Sequence, residues 1–205
     1  MRISILLMVL AITLSAISVT SAQVSTINNE GITLSQKVQK VYTSQIGVRE
    51  LTGHNDGIMV ETYLSSVGLE KGYPWCAAFV KWCYFNAGVK TEINGMASSV
   101  NNPDRWVYHK GKFITEPRPG DAFTLYFNSL GRIGHTGFYD GRQNSSIYKT
   151  VEGNTNNAGS REGDGVYRKY RSFKATYSIN RWIPYTTINR KISLYNLSHD
   201  YGLSC

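Results

Sequence analysis

Three side chains in this sequence have the types and settings that amide chemistry at sulfur requires. A cysteine becomes a strong nucleophile as its thiolate, and the unpaired N–H groups of a helix's first turn favour that anion. Cys76 follows Tyr73-Pro74-Trp75 and opens an apolar stretch that closes at Gly88, so it stands at a helix start. A thiolate also needs a general base within reach and a polar group that orients the base. Among His54, His109, His135 and His199, only His135 has a suitable setting. The run Gly134-His135-Thr136-Gly137-Phe138-Tyr139 puts it at the mouth of a β-prone segment, between glycines that leave its ring accessible. The next such segment, Tyr148-Lys149-Thr150-Val151, ends in Glu152-Gly153-Asn154. Adjacent strands lie about 4.8 Å apart, so Glu152 or Asn154 could bond the second imidazole nitrogen. Glu152 is the first choice and Asn154 a close second.

Other chemistries fit less well. A lone cysteine in an apolar helix is usually packing, which suits Cys83, two turns deeper on nearly the same helix face. At ~1.5 Å rise per residue the two thiols lie roughly 10 Å apart, too far for a disulfide or for one shared zinc ion. Both are expected to be free unless one meets Cys205, and with three cysteines in all no disulfide framework holds the chain. No metal and no cofactor is expected. The N–H of Cys76 supplies one candidate oxyanion donor, with Tyr73 and Asn55 as candidates for a second. Tyr73, Trp75, Asn55 and Asp56 are the expected substrate contacts, although turn residues before a helix need no other reason to be there.

Stepping outward to the elements that must hold these groups, Leu34, Val38, Val41, Tyr42 and Ile46 recur at helical spacing and stop at Gly47. Val60, Tyr63, Leu64 and Val67 form a second helical pattern ending before Gly68, with Asp56 as its expected N-cap. The stretch from Trp75 to Gly88 is apolar nearly all round and belongs in the core. Beyond Pro119-Gly120-Asp121 the pattern turns to short β-prone segments at 122–127, 135–139, 146–151 and 165–170, with a long surface loop expected over 154–165. Helices first and strands afterwards predict an α+β domain on an antiparallel sheet.

Bulk composition sets the remaining limits. Length and a 41% hydrophobic content suit one globular domain. Arg2, an apolar run from Ile5 to Val19 and the small-residue exit Thr20-Ser21-Ala22 read as a signal peptide over 1–22, cleaved before Gln23. The domain is then expected over 23–185 and a C-terminal extension of uncertain structure over 186–205. After cleavage no stretch is apolar enough to span a membrane. Losing Arg2 takes the basic count from 22 to 21 against 14 acidic residues, a mature charge of +7. That charge favours an acidic partner, and for an exported chain a wall polymer is expected before nucleic acid. A monomer, secreted or periplasmic, is expected.

The same residues carry a family resemblance. Tyr73-Pro74-Trp75-Cys76-Ala77-Ala78-Phe79-Val80, Pro119-Gly120-Asp121, Gly134-His135-Thr136-Gly137 and Val151-Glu152-Gly153-Asn154-Thr155 resemble, in order, the CHAP domain family of cysteine amidohydrolases and peptidases. The likeness runs from about Val41 to Arg181, and no motif departs from the pattern. It implies a papain-like α+β fold whose N-terminal helix bears the nucleophile and packs on an antiparallel sheet bearing the base. It also implies peptidoglycan as substrate and amide cleavage, as an N-acetylmuramoyl-L-alanine amidase or a peptide endopeptidase. Carried over by position, Cys76 is the nucleophile, His135 the base and Glu152 the orienting group, with Asn154 near the site. Two other readings stand beside it: a non-catalytic wall- or glycan-binding protein on the same fold, and a thiol acyltransferase. The bond cut is left open.

Overall fold

The computed structural model describes residues 32–157 and 163–184. The expected signal peptide, the 186–205 extension with Cys205, and residues 158–162 lie outside the described residues. Among the described residues there are three α-helices, α1 (Leu34–Ser44), α2 (Ile58–Ser65) and α3 (Cys76–Asn86). They precede a seven-stranded sheet, so the fold is α+β. Its strands are β1 (Trp106–His109), β2 (Lys112–Phe113), β3 (Ala122–Phe127), β4 (Arg132–Arg142), β5 (Ile147–Thr155), β6 (Gly165–Ser172) and β7 (Ser178–Asn180). The spatial order is β2-β1-β7-β3-β4-β5-β6, with every pairing antiparallel. No helix among the described residues is long and apolar enough to cross a membrane.

Local chemistry explains where the helices begin and end. The Thr33 hydroxyl accepts the Gln36 N–H, while the Gln36 side-chain oxygen accepts the Thr33 N–H at 2.8 Å, a reciprocal cap that opens α1. Gly47, at φ +99°, takes the chain out of that helix in a conformation side-chain-bearing residues avoid. The start of α2 corrects the expectation for Asp56. Its carboxylate accepts the Thr52 N–H (2.9 Å) and hydroxyl (2.7 Å) and so ties its own loop, leaving Gly57 as N-cap.

The helix layer packs on one face of the sheet. Phe138 of β4 and Val151 of β5 meet Val38, Tyr42, Phe79 and Tyr84 there, with the Tyr42 and Phe138 rings stacked 4.6 Å apart. Fully burying side chains of this size stabilises the fold by about 1.5–3 kcal/mol each. The opposite face has its own cluster, in which Phe123, Tyr139 and Tyr148 pack on Tyr108 and Phe173. Because side chains alternate along a strand, a sheet covered on both faces has continuous buried runs such as Ala122 to Leu125, in which only Thr124 is polar.

The Pro119-Gly120-Asp121 motif is structural. Asp121 is buried, is clamped by Arg181 at 2.8 Å and 3.0 Å, and accepts the Arg118 N–H. The Gly120 carbonyl accepts the Tyr84 hydroxyl at 2.7 Å, joining the entry to β3 to the far end of α3. The expected 154–165 loop is shorter than its composition suggested, since Asn154 and Thr155 complete β5.

Candidate active site

Cys76 is the first residue of α3, and the turn before it is held from inside the molecule. Trp75 is fully buried, stacks on Tyr63 at 5.6 Å and donates its indole N–H to Glu50 at 2.8 Å. The other oxygen of Glu50 accepts the Asn55 N–H at 2.9 Å, so one carboxylate secures both the nucleophile's turn and the neighbouring loop. Backbone N–H groups in the first turn of α3 have no carbonyl one turn back to bond, and their partial positive charge gathers around the thiol.

A glycine lets this helix approach the sheet. A Cβ on Gly153 would stand 2.7 Å from both Trp75 and Phe79, so only a bare backbone lets β5 pass this close to the start of α3. Gly137 plays a similar part beside the base. A Cβ there would meet the Glu152 side chain at 2.9 Å, so the carboxylate crosses the space that the glycine leaves empty.

His135 Nε2 and Glu152 Oε2 are 2.9 Å apart, and the Cys76 thiol lies near enough to the ring to raise its affinity for a proton. Nε2 being occupied by the carboxylate, Nδ1 is the nitrogen left for sulfur. Glu152 has no exposed surface and accepts further bonds from the Thr150 hydroxyl (2.6 Å) and from Arg171 Nε (2.7 Å) and Nη2 (2.5 Å). Carboxylates are rarely buried this completely without a paired charge and satisfied lone pairs, and Glu152 has both.

These contacts set the charges. Burial alone would raise the Glu152 carboxyl, but the bonds from Arg171 and His135 hold it down at about 2. Burial alone would likewise strip the proton from His135, but hydrogen bonds to Cys76 and Glu152, with their charges, outweigh it and push the ring up to about 9. At neutral pH the ring is cationic. Burial pushes the Cys83 thiol well above its ordinary value, which keeps it protonated and inert in the core.

A cleft of about 720 Å³ opens over the thiol and the imidazole. Asn55, Tyr73 and Asn154 line it together with Cys76 and His135, and Tyr73 is 53% exposed. Trp75 and Asp56, expected as substrate contacts, do not line it: Trp75 is core and Asp56 braces its loop. Asn154, at φ +53°, faces the cleft, whereas the imidazole's carboxylate partner is Glu152. The pattern of motifs did not reveal Arg171, Thr150 or Glu50. Arg171 reaches the site through the β5–β6 register, Thr150 from two residues before Glu152 on β5, and Glu50 through a loop. Among the described residues no group of three His, Cys, Asp or Glu side chains is arranged to hold a metal ion.

Residues 68–154 match the family model of the CHAP domain, the family that the motifs resemble. The matched span is shorter than the 41–181 stretch of the resemblance, and it contains Cys76, His135, Glu152 and Asn154. CHAP domains are generally hydrolases acting on peptidoglycan. No curated protein matches the chain.

Proposed function

We propose that this protein is an exported cysteine hydrolase that cuts an amide bond of peptidoglycan, either at the glycan–peptide junction or within the peptide. One observation carries the reading. A thiol at a helix start and a cationic imidazole line an open cleft, and the imidazole is bonded from behind by a fully buried carboxylate that is ionised at neutral pH.

In the proposed mechanism Cys76 works as a thiolate paired with the His135 imidazolium. Sulfur attacks the carbonyl carbon, and the developing oxyanion meets the Cys76 N–H at the start of α3. His135 then gives its proton to the leaving amine, and the C–N bond breaks to leave a thioester. A water molecule, deprotonated by the now neutral ring, adds to the thioester and releases the carboxylic acid, which returns the thiolate and imidazolium. Throughout, Glu152 holds the ring in position and stabilises its charge, while Arg171 and Thr150 hold Glu152.

The test is digestion of purified peptidoglycan by the chain without residues 1–22, beside a Cys76→Ala variant, with the fragments identified by mass spectrometry. New amine and carboxyl termini should appear only with Cys76 present, and their position names the bond. Identical fragment patterns from the two proteins would sink the proposal.

A further inference from the structure

The cleft carries charge of one sign. Its walls include Arg132, His135, Lys169 and Arg171 and, among the described residues, no aspartate or glutamate. Two of these cations already have counter-ions: Arg171 is matched by Glu152, and His135 sits between Glu152 and the thiol. Lys169 rests its ammonium on the Asn156 backbone carbonyl, a neutral acceptor that leaves the positive charge standing.

Arg132 differs from the other three. It opens β4, pairs in register with Phe127 across the β3–β4 hairpin, and is exposed. Among the described residues its guanidinium has no hydrogen-bond or ion-pair partner. Phe127, its register partner, and Leu130 line the cleft with it, so a ligand seated beside Arg132 is partly withdrawn from water. A planar guanidinium offers two parallel N–H donors at the spacing of a carboxylate's oxygens. Apolar walls strengthen such a contact by lowering the local dielectric.

We propose that Arg132 is the substrate-docking residue of this cleft and binds a free carboxylate of the peptide whose amide Cys76 attacks. The protein therefore prefers anionic peptides to ones whose carboxyls have been amidated. The inference rests on the peptidoglycan reading of the Cys76 site, and it names a feature of the substrate that this reading leaves open. Lys169 adds to the attraction through space, and among the described residues no acidic side chain lines the walls to repel a carboxylate.

The experiment measures binding separately from cleavage. Soluble muropeptides are prepared from purified peptidoglycan in two forms, with carboxyls free or converted to carboxamides, and titrated into the Cys76→Ala protein. The free form should bind about tenfold more tightly, a difference of about 1.4 kcal/mol. Adding Arg132→Gln should bring the free form down to the affinity of the carboxamide. Lys112→Gln, an exposed charge removed from β2 outside the cleft, should leave the preference unchanged. Equal affinities for the two forms, a preference that survives Arg132→Gln, or no binding of either form would each overturn the proposal. The hydrolase reading is scored by the intact protein's products instead. Cleavage without a carboxylate preference would leave that reading standing and remove this one, and a preference without cleavage would do the reverse.

Discussion

Glu152 reaches His135 across Gly137, a position on β4 where a Cβ would meet its side chain at 2.9 Å. The pair is thus an arrangement of three residues on two strands, and its two charges depend on each other. Glu152 stays ionised because His135 and Arg171 are cationic, and His135 stays cationic because Glu152 and the thiol face it.

Stability should therefore peak between two limits of pH. The Glu152 carboxyl is lowered from 4.5 to about 2, so its contribution is complete above about 4.5 and fades as pH falls toward 2. The His135 ring is raised from 6.5 to about 9, so its contribution is complete below about 6.5 and fades as pH rises through 9. Each limb is worth on the order of 3 kcal/mol, and the two are not additive because both count the same bond. Urea unfolding measured from pH 3 to 10 should show a plateau between about pH 4.5 and 6.5, and a flat profile would contradict the coupling.

Removing the counter-ion should cost more than removing the whole pair. Arg171→Met leaves a buried carboxylate with one fewer cation and should destabilise the protein by about 3–5 kcal/mol. The double variant Glu152→Gln/Arg171→Met buries no uncompensated charge and should lose clearly less than the sum of the single losses. Chemical denaturation of the four proteins measures the coupling.

Thiol reactivity separates the two cysteines on α3. Brief treatment of the native protein with iodoacetamide, followed by peptide mapping, should find Cys76 modified and Cys83 untouched, since Cys83 is wholly buried and held protonated. Equal labelling of the two in folded protein would remove the distinction.

Gly153→Ala adds one methyl group where Trp75 and Phe79 leave no room. Overpacking of this kind costs about 1–3 kcal/mol. It should also lower turnover by an order of magnitude or more, because the start of α3 must retreat from the strand that carries Glu152. A variant with wild-type turnover would show that the nucleophile does not depend on this contact.

Much of this site is legible in the sequence because it is local. The start of α3 is marked by the chain around Pro74 and Cys76, and the ends of β4 and β5 by the glycines flanking His135 and Glu152. What was not legible is non-local or short. Arg171 lies nineteen residues beyond Glu152 and joins it only through the β5–β6 register. Strands β1, β2 and β7, with four, two and three residues, are too brief to show periodicity. The β1–β2 turn also hides its type, because Lys110 at φ +43° precedes Gly111 where asparagine or aspartate is usual. Trp75 misled for a related reason: adjacency to Cys76 in sequence says nothing about direction, and the indole turns inward to Glu50.

The position of Arg171 on β6 also limits how this protein can be divided. A segment cut to 68–154 would carry the thiol, the imidazole and the carboxylate, but it would leave behind the guanidinium that neutralises the carboxylate and the α1 residues that cover Phe138. Transplanted into another scaffold, it would be an incomplete cassette, so the smallest portable unit runs from the Thr33 cap past Arg171 and through β7 to Arg181 and Trp182, which complete the sheet, the Asp121 clamp and the core.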